Sequence, residues 1–188
     1  MTSDPDRNAA DSIMLEAVAA EIEAFTGLAG WDAAPSLFAL VPTKALAADP
    51  SAAALLSGDG SPLDPDEIAD SAITPVAQDE LPEGSLDELL AQIGWPDEVI
   101  GCAVSQEIVM LPPSAEAELN NLAVDAAVSV ATDHPDRREA RLVVAVLRGG
   151  RSASILRLRA ADGAGDDLLT GPDLAPNLVS ALAATLTD

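Results

Sequence analysis

Met14, Val18, Ile22 and Phe25 recur at spacings of four, four and three, which predicts an amphipathic helix opened by Asp11. Gly27 and Gly30 stop it, and Glu16, Glu21 and Glu23 fall largely on its outer side. The apolar run 37–41, closed by Pro42, fits a short buried strand. Thr43 and Asp49 then read as N-caps of two short Ala-rich helices, 44–48 and 51–56. From 58 to 84 the chain turns to Asp, Glu, Pro, Gly and Ser without apolar period, a long acidic loop or insertion. Ser85 and Glu88 form a capping box for a helix over 86–93 that stops at Gly94.

The runs 99–104 and 108–111 read as two strands, the second closed by Pro112 and Pro113, and 115–132 reads as partly helical. The strongest local pattern is a hairpin in which Gly149 and Gly150 join two β-rich runs, 141–148 and 151–159. A two-residue turn there sets Val146 opposite Ala153, Val144 opposite Ile155 and Leu142 opposite Arg157. The first of these runs is apolar on both faces, which predicts a central strand covered on each side or set against a partner. A turn at Asp162 and Gly163 follows, and Asp173 or Pro176 begins a last helix carrying Leu174, Leu178, Leu182 and Leu186.

This order lacks the βαβ alternation and glycine-rich first turn of a nucleotide-binding fold. It predicts a single α+β domain over 1–188, with helices packed on an antiparallel or mixed sheet of about five strands around the central Gly-Gly hairpin. The hydrophobic share of 48% overstates the core, because 37 of the 188 residues are Ala. With two Trp, two Phe and no Tyr, an aromatic carbohydrate cleft or base-stacking platform has little to work with. Mean hydropathy is +0.22, too apolar for a disordered acidic tail.

Nine Lys+Arg against 32 Asp+Glu give a net charge of −23, which argues against nucleic acid and anionic membranes as partners. No apolar run is long enough for membrane insertion, and the first residues have neither a basic nor an apolar leader region, so a cytoplasmic location is expected. The charge is uneven: of the nine cations, seven lie in 137–159. Arg137, Arg138, Arg148, Arg151, Arg157 and Arg159 are therefore a candidate basic patch, since guanidinium forks suit oxyanions. Within it, Arg148, Arg151, Arg157 and Arg159 on the hairpin are the candidate anion or partner contacts. The competing reading is that they meet the chain's own carboxylates.

Cys102 and His134 are the lone thiol and imidazole, and nothing in their spacing makes a catalytic or metal pair. Cys102 fits a small core residue and His134 a helix end. The clusters Asp59, Asp64, Asp66, Glu67, Asp70 and Asp162, Asp166, Asp167 lack EF-hand spacing and read as solvated loops. No catalytic, cofactor or metal residue is assigned, and no nucleotide, hydrolase or zinc motif is present.

Gly30-Trp31-Asp32, the run 37–43, Thr74-Pro75-Val76, Leu81-Pro82, Trp95-Pro96, Gly101-Cys102-Ala103, Leu111-Pro112-Pro113 and His134-Pro135 occur together here. As a set they resemble a family of uncharacterised actinobacterial proteins, and the likeness covers nearly everything after residue 11. That resemblance implies no catalytic residue. The order of elements is also similar to small acidic secretion-chaperone-like proteins, which are dimeric binding modules. The expectation is a non-catalytic, cytoplasmic binding or adaptor protein of chaperone-like type, with an unknown protein partner and a homodimer contact through its apolar faces. The alternative is a small-molecule anion-binding or enzymatic domain using the arginine-rich hairpin edge.

Overall fold

The structure is a computed structural model that describes residues 5–49, 51–53, 64, 66–82, 84–112, 115, 130, 133–160, 167–172 and 174–187. Helix α1 (Pro5–Gly27) begins upstream of Asp11, which is an interior residue rather than the cap. Pro5 suits a first turn, and Ala9 and Ala10 are strong helix formers. Its buried face is Leu15, Val18, Ala19 and Ile22, while Phe25 is 59% exposed and meets Phe38 edge-on at 6.2 Å between ring centroids. Strand β1 (Ser36–Pro42) leads into helix α2 (Thr43–Ala48). Pro42 holds the N-cap position without a side-chain bond, and the Thr43 hydroxyl instead meets that of Thr74 at 2.9 Å. Asp49 does cap: its Oδ1 accepts from Ser51 N and Ala52 N at 2.8 and 3.3 Å, opening the helical turn 51–53. Residues 54–56 lie outside the described residues.

The stretch 58–84 contains strand β2 (Ile73–Ala77), antiparallel to β1 from Phe38↔Ala77 to Pro42↔Ile73. Pro75 hides it from a reading by pattern, and also confines it to an edge, where the missing N–H is tolerated. Ser85 Oγ accepts from Glu88 N at 3.3 Å and starts helix α3 (Leu86–Leu90), shorter than the capping box alone suggests.

Strand β3 (Gly101–Met110) is one strand, not two. All ten residues pair with β4 (Arg138–Leu147), from Gly101↔Leu147 to Met110↔Arg138, and Ser105, Gln106 and Glu107 are simply its polar middle. Strands β5 (Ser152–Leu158) and β6 (Leu168–Gly171) and helix α4 (Pro176–Thr185) complete the fold. Of 115–132, Ala115 and Val130 are helical and the rest lies outside the described residues.

The sheet is six-stranded and antiparallel throughout, in the order β2-β1-β3-β4-β5-β6. The fold is α+β, with one strand more than about five. Helix α1 covers one face over Phe38, Leu40, Ala103, Val143, Ala145 and Ile155. Helices α3 and α4 cover the other, where Cys102, Val104, Val144, Val146 and Leu156 meet Leu90, Leu182 and Leu186. Strand β4 is apolar on both faces because it lies between these two cores, buried from Ala140 to Val146.

The hairpin register differs by one residue from the two-residue expectation. Leu147 N donates to Arg151 O at 2.9 Å and Gly150 N to Leu147 O at 2.8 Å, so the loop holds three residues. Only Gly150 has positive φ, at 79°, the pattern of a type I turn closed by a glycine bulge. Val146 therefore faces Ser152, Val144 faces Ser154, and Arg141 faces Arg157. Among the described residues no helix is long and apolar enough to cross a membrane.

Candidate functional site

Placing Arg141 directly opposite Arg157 puts two like charges on one face of the sheet, and Glu107 opposite Arg141 extends the row across β3, β4 and β5. The parity of Val143 and Ile155 sends this row to the α1 side. Glu23, near the C-terminal end of α1, lies over it. Glu23 and Arg141 are each 3% exposed. Arg157 donates to Glu23 through Nε at 2.5 Å and Nη2 at 2.6 Å, a bidentate fork, and Arg141 Nη1 lies 3.7 Å from the same carboxylate. The helix reading set Glu23 on the outer side; it is instead on the flank of the buried face, next to Ile22.

The loop after α1 completes the cluster. Gly27 makes room for it, because a Cβ there would stand 3.3 Å from Arg141 Nη1. Arg141 Nη2 donates to the Gly30 carbonyl and, at 3.4 Å, to Glu107. Glu107 also accepts from the backbone of Asp32 at 2.8 Å and Ala33 at 3.4 Å. Asp32 takes a positive φ of 69°, which an Asp tolerates better than most side chains. The Trp31 ring is thereby set 4.7 Å from Arg141 Cζ and 5.3 Å from Arg159 Cζ, within cation–π reach of both.

Arg159 links this interior cluster to the surface. Its Nη1 donates to Glu139 at 2.6 Å and Asp32 at 3.3 Å, and those two carboxylates, Glu139 first, raise the guanidinium pKa above its usual value. Beyond it opens a cleft of about 460 Å³ lined by Asp133, His134, Arg137, Arg138, Glu139 and Arg159. It lies where β4 begins and β5 ends, away from the Gly150 turn.

The four hairpin arginines are thus split between two ends of the sheet. Arg157 and Arg159 belong to the cluster just described. Arg148, at the turn, donates to Val99 O at 2.8 Å, Trp95 O at 2.9 Å, Pro96 O at 3.1 Å and Leu186 O, so it ties the α3–β3 connection to the end of α4. Arg151 flanks the same turn and is half-buried.

Cys102 and His134 are not brought together. Cys102 pairs with Val146 near the turn and is buried under α4, with Sγ 3.7 Å from the Leu182 carbonyl and 3.5 Å from the Thr185 hydroxyl. Burial pushes this thiol up, against smaller lowering effects of Thr185, Arg148 and Trp95. His134 lies at the cleft, at the other end of β4. Among the acidic loop residues, Asp70 is exposed and held below its ordinary pKa by the Lys44 ammonium, 2.5 Å away. Asp64 Oδ1 accepts the Asp66 amide at 2.9 Å, and Asp59, Asp162 and Asp166 lie outside the described residues.

Arg141 and Glu23 escape a reading by composition because each hides in an apolar context. A signal for Arg141 did exist: it is the one charge at the head of the otherwise unbroken run 142–147. No curated protein and no solved structure matches the chain. The model of the PPA1309-like protein family matches residues 15–187, which takes in the end of α1, all six strands and α4, and the chain belongs to that family.

Proposed function

We propose that the protein is a non-catalytic, acidic cytoplasmic binding or adaptor protein of chaperone-like type, and that its docking edge is β6. The carrying observation is the contrast between the two sheet edges. At β2, Pro75 removes a donor, the usual protection of an edge strand. At β6, Leu168 and Leu169 are 47% and 48% exposed, and among the described residues no strand pairs with its outer side.

Chemistry of the partner follows from charge. Residues 160–188 carry five carboxylates and no cation, so an extended segment with alternating apolar and basic side chains fits this edge, adding a strand through main-chain bonds. A second copy would bring the same carboxylates and a further −23 against it. The small-molecule reading for the hairpin edge as a whole has less support, because Arg148 and Arg157 already face carbonyl or carboxylate oxygens of the chain itself.

Titration of the isotope-labelled full chain with a peptide of alternating valine and lysine tests the reading. Saturable amide shifts at Leu168–Gly171, lost in Leu169→Lys, support it. Shifts confined to other strands, or binding indifferent to Leu169→Lys, overturn it, as does a dimer built on β6 in sedimentation analysis.

A further inference from the structure

We propose that the cleft between the start of β4 and the end of β5 binds a phosphate-bearing small molecule. This site is separate from the β6 edge and does not depend on the adaptor reading.

At this cleft, three donor groups are left unused among the described residues. His134 Nδ1 accepts the Asp136 amide at 3.1 Å, which assigns the neutral ring's proton to Nε2. Among the described residues, Nε2 has no partner. Both side-chain hydrogen bonds of Arg159 among the described residues run through Nη1, which leaves Nε and Nη2 to donate. Arg138 is exposed and meets no carboxylate among the described residues, although its neighbours Arg137 and Arg159 both reach Glu139.

These three groups come from three separate places, the turn before β4, the first residue of β4 and the residue after β5, yet line one cavity. Three of the nine Lys and Arg residues and the lone His of a chain with net charge −23 are gathered there. Among the described residues, Arg141 and Arg157 are held by Glu23 and Arg148 by carbonyls, whereas at the cleft Arg138 and the Nε and Nη2 of Arg159 keep their donors open. Donors supplied by three separate segments suit a tetrahedral oxyanion better than a planar carboxylate, and the Arg forks supply charge-assisted bonds. A volume of about 460 Å³ exceeds a bare phosphate and falls in the range of small-molecule sites. A phosphate monoester with a small organic group fits best.

Calorimetry and 31P line broadening on the full chain, with phenyl phosphate, inorganic phosphate and benzoate as probes, test this. Expected is saturable binding of phenyl phosphate with a dissociation constant below about 1 mM. Arg138→Ala and His134→Ala should each weaken it, the former about tenfold, while Arg151→Ala at the far end changes nothing. Arg138→Lys, which keeps the charge and loses the fork, should fall between, and decides the matter should Arg138→Ala fold poorly. Benzoate binding as tightly as phenyl phosphate, non-saturable binding, or equal weakening by Arg151→Ala would overturn the proposal. Inorganic phosphate binding as tightly as phenyl phosphate would overturn the monoester assignment.

Discussion

Replacing Glu23 by Gln keeps the shape of the side chain and removes the charge that holds Arg141 and Arg157 together. Losing one partner of a buried ion pair costs about 3–5 kcal/mol, most of it from the charge left behind. Two features hold the value near the lower end. The Arg157 side chain is 30% exposed and can turn to water, and Arg141 retains Glu107 and the Gly30 carbonyl. The expected loss is about 3 kcal/mol, which for a chain of this size lowers Tm by roughly 6–12 °C. Glu107→Gln is the comparison. That carboxylate is at the rim and a Gln oxygen still accepts the Asp32 amide, so about 1 kcal/mol is expected. Urea unfolding followed by circular dichroism reads both variants, and a cycle with Arg157→Gln isolates the pair. If Glu23→Gln costs no more than Glu107→Gln, or is additive with Arg157→Gln, the buried hub does not exist as described.

Two further outcomes can be measured on the other face of the sheet. The Ser154 hydroxyl is buried without a hydrogen-bond partner among the described residues, so Ser154→Ala should be neutral or stabilising by up to about 1 kcal/mol, and a loss above that in urea midpoints would reveal a partner. Because the Cys102 thiol is raised by burial, the unfolded thiol ionises first. Its contribution to stability is complete below about pH 8.5 and is lost as pH climbs through the folded-state value. Unfolding free energy should therefore fall more steeply above that pH than in Cys102→Ala, and parallel curves would refute the assignment.

Helices α1 and α4 and the two-sided character of β4 were legible because apolar spacing alone determines them. What was not legible is the cluster at Glu23, and the reason is a single residue of register. Read as a two-residue turn, Gly149 and Gly150 set Arg157 against Leu142; the glycine bulge at Gly150 sets it against Arg141 and creates the charge row that Glu23 must bridge. Strands β2 and β6 were missed for different causes. Pro75 breaks the first pattern, and the second is only four residues long with no alternation. The arginine-rich stretch was visible as charge, but its division between a packed end and an open cleft comes from where β4 and β5 start and stop.

The burial of β4 also has a bearing on synthesis. Its segment 142–147 is six consecutive apolar residues, rich in valine and free of proline, and it leaves the ribosome before β5, β6 and α4 exist to cover it. Such a segment, exposed in a nascent chain, is a seed for intermolecular stacking. Arg138 and Arg141 precede it and Arg148 and Arg151 follow it, so two copies of the naked strand meet with like charges at both ends. Arg141 and Arg148, which tie the finished sheet to its neighbouring loops, thus act earlier, together with Arg138 and Arg151, as gatekeepers that keep the unfinished sheet from finding the wrong neighbour.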